Sequence, residues 1–308
     1  NQTPPISPTP VDFYAPFQTG QTIGVREHFK ISWSIWKVTW TKFAALILCS
    51  VGASMFIPVI VISLVVVVTL ASPHVPGTPL TDIIASSVQT WQIVLGLIIF
   101  IPLFIIIMFV LTYFQYAMIV LTARLNDRSD FVTNLKMTRQ KFWSLTWVCF
   151  LHGLVVFIGS LFLIIPGMIL AFYLSFSSYV YLTEDLHGVA ALKRSYQLIR
   201  GYGWLIIQRS VVWVYLYCGI MIITFIPVLG QITQFIVPFV MTPLSLIFFY
   251  SLYQQIRDQK NRGQAKTVMT QKAKILTLIL ILIPGFLLGL FIILMFALQL
   301  TLGNIWQK

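Results

Sequence analysis

Charge is scarce in this chain. Only 9% of its 308 residues are Asp, Glu, Lys or Arg, against roughly 25% in a soluble domain, and only eight of those are acidic. With 58% hydrophobic residues and a mean hydropathy of +0.90, the composition excludes a water-soluble fold. The apolar runs described below use more than half the chain, so a separate soluble catalytic head of usual size is excluded too. Cysteine is also scarce. Cys49, Cys149 and Cys218 all lie inside apolar runs and fit no metal-ligand spacing, so they read as small core residues. Enzyme signatures are missing altogether: there is no HExxH, no Walker loop, no GxGxxG at a strand-to-helix junction, and no Ser/His/Asp or Cys/His constellation. The four histidines, His28, His74, His152 and His187, are too scattered to meet at one metal. The sequence therefore offers no catalytic residue, no metal site and no cofactor, and the reading is a non-enzyme.

What is present is a series of long apolar runs, each needing about 20 residues to cross a bilayer. The first is Phe43 to Leu70, interrupted by Pro58, and the second is Trp91 to Ala123, with Pro102 inside it. A polar, Pro- and Gly-rich connection, residues 71 to 90, separates them. Trp143 to Ile165 and Met168 to Leu182 flank Pro166-Gly167, a turn signal, and read as a tight hairpin. Leu205 to Ile226 and Ile232 to Tyr253 flank a second short break, with Pro238 and Pro243 bending the latter. Ile275 to Leu302 is the last run. Its Pro284-Gly285 marks either a kink or a hairpin apex, and the short segment before it favours one kinked span. The expected fold is thus all-α, a polytopic transmembrane helical bundle of about seven spans.

Twenty Lys and Arg give a net charge of +12. In a soluble protein that would suggest nucleic acid. Here the basic residues fall in short segments between apolar runs, where they act as topology signals and contacts to anionic lipid, and no nucleic-acid partner is expected. Placing the N-terminus inside puts 19 of the 20 basic residues on the cytoplasmic side, with only Lys308 outside. Short-loop Lys and Arg set orientation. The expected localisation is therefore the cell membrane, multi-pass, with a cytoplasmic N-terminus. Asn1 to Gly20 is polar and holds five prolines, which predicts a flexible tail and leaves the first span to act as its own insertion signal. The expected organisation is a tail (1–20), a six-span membrane domain (21–258), a basic cytoplasmic linker (259–274) and an additional C-terminal span (275–308).

The chain also resembles itself. Phe29-Lys-Ile-Ser-Trp-Ser-Ile-Trp-Lys37 aligns without gaps on Leu192-Lys-Arg-Ser-Tyr-Gln-Leu-Ile-Arg200, and Leu135-Lys-Met-Thr-Arg keeps the same opening. Lys30, Lys136 and Lys193 then correspond, as do Ser32, Thr138 and Ser195. The pattern predicts three units, each an amphipathic interfacial helix followed by a helical hairpin. Val189, Leu192, Tyr196 and Ile199 form the apolar stripe of the third helix, opposite Lys193, Arg194, Gln197 and Arg200. Val25, Phe29, Trp33, Trp36 and Trp40 form that of the first. Such helices lie in the headgroup boundary.

Residues 163 to 204 carry an Ile165-Pro166-Gly167 turn, a span, an acidic pair Glu184-Asp185, an Ala191-Leu-Lys-Arg-Ser195 helix and a closing Trp204. This stretch resembles a broad group of bacterial membrane proteins that includes the membrane domain fused to some glycerophosphoryl diester phosphodiesterases, together with related uncharacterised multi-span proteins. The resemblance is strong over about 40 residues and loose over the first six spans. It implies a bacterial inner-membrane fold and no particular activity, and with no phosphodiesterase domain here that catalysis does not carry over.

Two function classes follow. The favoured one is a non-enzymatic membrane scaffold or accessory subunit that binds anionic lipid, a membrane-protein complex partner or a second copy of itself, through Lys30, Lys37, Lys136, Lys193, Arg194 and Arg200. The alternative is a transporter or lipid-moving protein, suggested by repeated units and Pro-broken spans but opposed by the lack of a charged midplane site. His152 and Arg209 are the candidates for an intramembrane polar site. His152 is expected to pair with a polar group such as Gln208, or to be a neutral core histidine. Arg209 is expected to snorkel to the cytoplasmic interface.

Overall fold

The computed structural model describes residues 13–17, 23–70, 79–127, 130–224 and 227–263, with isolated positions between 271 and 289. Among the described residues all regular structure is helical. The elements are α1 (Val25–Leu70), α2 (Pro79–Ala123), α3 (Phe131–Phe162), α4 (Ile164–Leu174), α5 (Ser177–Glu184), α6 (Val189–Ile199), α7 (Gly203–Thr224) and α8 (Pro227–Asn261). Pro79 and Pro227 open their helices, where a missing N–H costs no hydrogen bond. Six stretches are long and apolar enough to cross a bilayer: Val25–Gly52, Phe100–Ala123, Phe131–Phe162, Ile164–Glu184, Gly203–Thr224 and Gly230–Asn261. The chain is a helical membrane protein. The expected seventh span, from Ile275 to Leu302, lies outside the described residues apart from isolated positions.

The boundaries differ from the sequence expectation in four places. First, the segments before spans one and three are not separate interfacial helices. They are the opening turns of α1, a single helix of 46 residues, and of α3, one of 32. Only α6 stands alone. Second, the α3–α4 hairpin turns at Leu163, in extended conformation, and not at Pro166-Gly167. Pro166 is accommodated in the first turn of α4, where its N–H would have no intrahelical partner anyway. Gly167 is needed for a close approach instead: a Cβ there would lie 2.9 Å from Ser160 Cα. Third, the expected fourth span is broken between α4 and α5, at Ser175 and Phe176. Fourth, α8 continues to Asn261, into the start of the expected basic linker.

The chain divides into two units, Asn1–Val38 with Leu125–Asp127 and Trp143–Lys308, and Thr39–Arg124 with Arg128–Phe142. In the first unit α8 is the axis, with Leu244, Ile247, Phe248, Leu252, Tyr253 and Ile256 all fully buried. Trp213 of α7 packs on Leu244 and Phe248, and Phe29, Trp33 and Trp36 of α1 close over them. Part of the expected flexible tail belongs to this core: Tyr14 and Phe17, in a 3₁₀ turn, are buried. The Tyr14 ring meets Tyr250 edge-on at 4.9 Å and Phe17 lies 4.7 Å from His28. In the second unit Phe142 packs against Phe109 and Tyr116, and the Tyr113 hydroxyl donates to the Leu135 carbonyl at 2.8 Å.

Candidate functional site

The outer line of α3 changes polarity along its length. Val132, Lys136, Arg139, Trp143, Trp147 and Phe150 recur at helical spacing and are all exposed. Basic residues give way to tryptophan and then to aliphatic side chains, the order in which a helix enters a bilayer through its headgroup layer. From Trp143 to Phe162 the helix rises about 29 Å, close to the thickness of a hydrocarbon core.

Of the predicted binding residues, Lys30, Lys37, Lys136, Lys193 and Arg200 are exposed. Lys37 lies 5.8 Å from the centre of the Trp33 ring, within cation–π range. Arg194 differs. Its Nε donates to Glu184 at 2.7 Å and its Nη2 reaches Asn261 at 3.5 Å, while the Tyr253 hydroxyl also donates to Glu184. Arg194 thus braces α6 against α5 and α8, and its charge is already met. The three lysines of the common register share their surroundings at helical spacing: the residues two before them (His28, Asn134, Ala191) and two after them (Ser32, Thr138, Ser195) are all buried.

α6 packs on α4, α5 and α8. Its inward face is Ala191, Leu192, Ser195, Leu198 and Ile199. Val189 and Tyr196, expected in the apolar stripe, instead join Lys193 and Arg200 on the outward line 189, 193, 196, 200. Ser195 serves the break in the fourth span directly. It donates to the Tyr173 carbonyl at 3.1 Å and accepts from the Phe176 N–H at 3.2 Å.

Arg209 does not snorkel. It is 1% exposed and held by His28 Nδ1 at 2.7 Å, by Gln255 Oε1 and by the Ile23 carbonyl. Because a guanidinium only donates, His28 Nδ1 must accept. The imidazole proton is then on Nε2, which donates to Ser251 Oγ at 2.6 Å, and the Ser251 hydroxyl in turn donates to the Phe248 carbonyl. His152 is half-buried on α3, and among the described residues it makes no hydrogen bond with Gln208, which instead faces a groove beside Val25. The sequence reading missed His28 and Gln255 as partners of Arg209, and Ser251 as the partner of His28. The available signal was the polar run Ser251, Gln254, Gln255, Gln259 at helical spacing on the end of an otherwise apolar span.

No protein-family model matches the chain, and neither a curated protein nor a solved structure shows a significant likeness to it.

Proposed function

We propose that the protein is a non-enzymatic membrane scaffold or accessory subunit that gathers anionic lipid at the inner leaflet, with its N-terminus inside and its exposed lysines in the headgroup layer. The observation that carries this reading is the outward line of α6. Val189, Lys193, Tyr196 and Arg200 alternate apolar or aromatic with basic on one face, while the opposite face is consumed by packing. An apolar contact beside a basic one is the chemistry of an acidic headgroup boundary. The shared burial pattern around Lys30, Lys136 and Lys193 supports the three-unit reading. The near absence of partner carboxylates, eight acidic residues against twenty basic ones, leaves that charge for an external anion.

Each basic residue near an anionic surface is worth about 1 kcal/mol, so three together give roughly 3 kcal/mol of preference for acidic lipid or an acidic partner. The test is the triple variant Lys30→Gln, Lys136→Gln, Lys193→Gln. Orientation should survive, since 16 of the 19 inner basic residues remain. The ratio of phosphatidylglycerol to phosphatidylcholine retained on purification from mixed vesicles should fall, and its salt dependence should flatten. An unchanged ratio with unchanged salt dependence rejects the reading. The second reading, a transporter or lipid-moving protein, is favoured by the α4–α5 break and by Pro238 and Pro243 inside α8, and solute flux in the same vesicles would reveal it.

A further inference from the structure

Four buried donors meet no acceptor among the described residues, and they fall on adjoining turns of two helices. Ser32 and Trp36 are one turn apart on α1, and Arg209 and Trp213 are one turn apart on α7. Ser32 Oγ, Trp36 Nε1, Arg209 Nε and Trp213 Nε1 are all shielded from solvent without a hydrogen-bond partner. The helices face each other here: Arg209 bonds His28, one turn before Ser32, and Trp213 belongs to the cluster that Trp33 and Trp36 close over. One orphaned donor in a protein is ordinary. Four on neighbouring turns of α1 and α7 leave an unusual local excess of donors that an acceptor-rich ligand would satisfy, since buried polar groups are mostly paired.

The charge points the same way. All three groups that Arg209 does contact, His28, Gln255 and the Ile23 carbonyl, are neutral. Among the described residues, Glu184 is engaged by Arg194 and Asp258 by Arg257, and no carboxylate pairs with Arg209. A buried guanidinium without a counter-charge is costly, and an oxyanion is what offsets it.

Along α7, starting one residue before Arg209, runs a groove of about 510 Å³ lined by Val25 of α1 and by Gln208, Val211, Val212, Tyr215 and Leu216 of α7. It follows α7 for about 12 Å. Gln208, at one end, immediately precedes Arg209, and the rest of the lining is aliphatic apart from Tyr215. A polar end one residue from Arg209 and an apolar body along an apolar helix describe the shape of one kind of ligand.

We propose that this corner binds a phosphate-bearing amphiphile, with the oxyanion against Arg209 Nε and the Ser32, Trp36 and Trp213 donors, and an acyl chain along the α1–α7 groove. Its donors are buried where the lysines are exposed, and it does not rest on the assignment of those lysines.

The test uses the full chain in a neutral detergent, with tryptophan emission followed during titration by dioctanoyl phosphatidylglycerol, inorganic phosphate or dioctanoylglycerol. Saturable binding of the phosphatidylglycerol is expected, weakened at least about tenfold by Arg209→Gln, and untouched by the Lys30, Lys136, Lys193 triple change. If inorganic phosphate binds as well as the lipid and with the same Arg209 dependence, the oxyanion site stands and its source is a free phosphate. The Ser32→Ala variant removes one unpaired donor at little change in volume, so its ligand-free melting temperature should hold or rise while lipid affinity falls. Equal binding of dioctanoylglycerol and phosphatidylglycerol would overturn the proposal, as would unchanged lipid binding by Arg209→Gln or by Ser32→Ala.

Discussion

Ser195 of α6 closes the gap that Phe176 opens in the fourth span. The hydroxyl accepts the Phe176 N–H and donates to the Tyr173 carbonyl, so one side chain satisfies a backbone donor and a backbone acceptor left by the break between α4 and α5. Both Ser195 and Phe176 are buried, which keeps water from taking over. The α6 helix is therefore an internal splint as well as an outward surface.

The Ser195→Ala variant should accordingly lose about 1 to 3 kcal/mol, the range for a buried polar group deprived of its partner. The loss should appear as a lower melting temperature in detergent, with Ser178→Ala, half-buried on the neighbouring α5, as the comparison. Equal melting of the Ser195 variant and wild type would show that the break holds without its splint.

How far the chain could be read in advance depended on where polarity was buried. Long apolar runs predict spans wherever they occur, and five of them coincide with helices fit to cross a bilayer, while the first, Phe43 to Leu70, shares only residues 43–52 with the candidate span Val25–Gly52 of the same helix. The face that each helix turns inward was harder. On α1 hydrophobicity selects Val25, Phe29, Trp33, Trp36 and Trp40, yet the buried line is His28, Ser32, Ile35, Thr39 and Phe43. Three of those five are polar, so a scale that ranks by water aversion points to the neighbouring line. The same cause hid the partners of Arg209: an Arg near the end of a span normally snorkels, and only the fold brings it to His28 and Gln255. Pro166-Gly167 misled differently. The pair signals a turn, but its proline is tolerated in a first helical turn and its glycine answers to Ser160 on the facing helix, a contact distant in kind from any local rule.

Orientation is the next testable matter. If the lysine-rich segments face the cytoplasm, a cysteine at Thr78 lies outside and one at Thr267 lies inside. In a background lacking Cys49, Cys149 and Cys218, a membrane-impermeant maleimide added to intact cells should modify the first and spare the second. The opposite pattern would invert the topology and move the exposed basic residues to the outer face.

The depth of the tryptophans discriminates most finely between an interfacial and a buried role, because the structure separates them into two groups. Trp40, Trp143 and Trp147 are exposed, Trp143 to 72%, at the level where basic residues give way to apolar ones. Trp33 and Trp36 are packed over Trp213 and Phe248 in the core of their unit. Amphipathic indoles settle at headgroup depth when lipid can reach them, whereas an indole covered by protein is out of reach at any depth. In vesicles of brominated lipids, single-tryptophan variants retaining Trp143 or Trp147 should be quenched most by bromines near the interface. The variant retaining Trp36 should be quenched little by any bromine position. Strong quenching of Trp143 by mid-chain bromines alone would push the boundary on α3 back toward Lys136, and with it the level at which the lysines of the shared register meet the lipid.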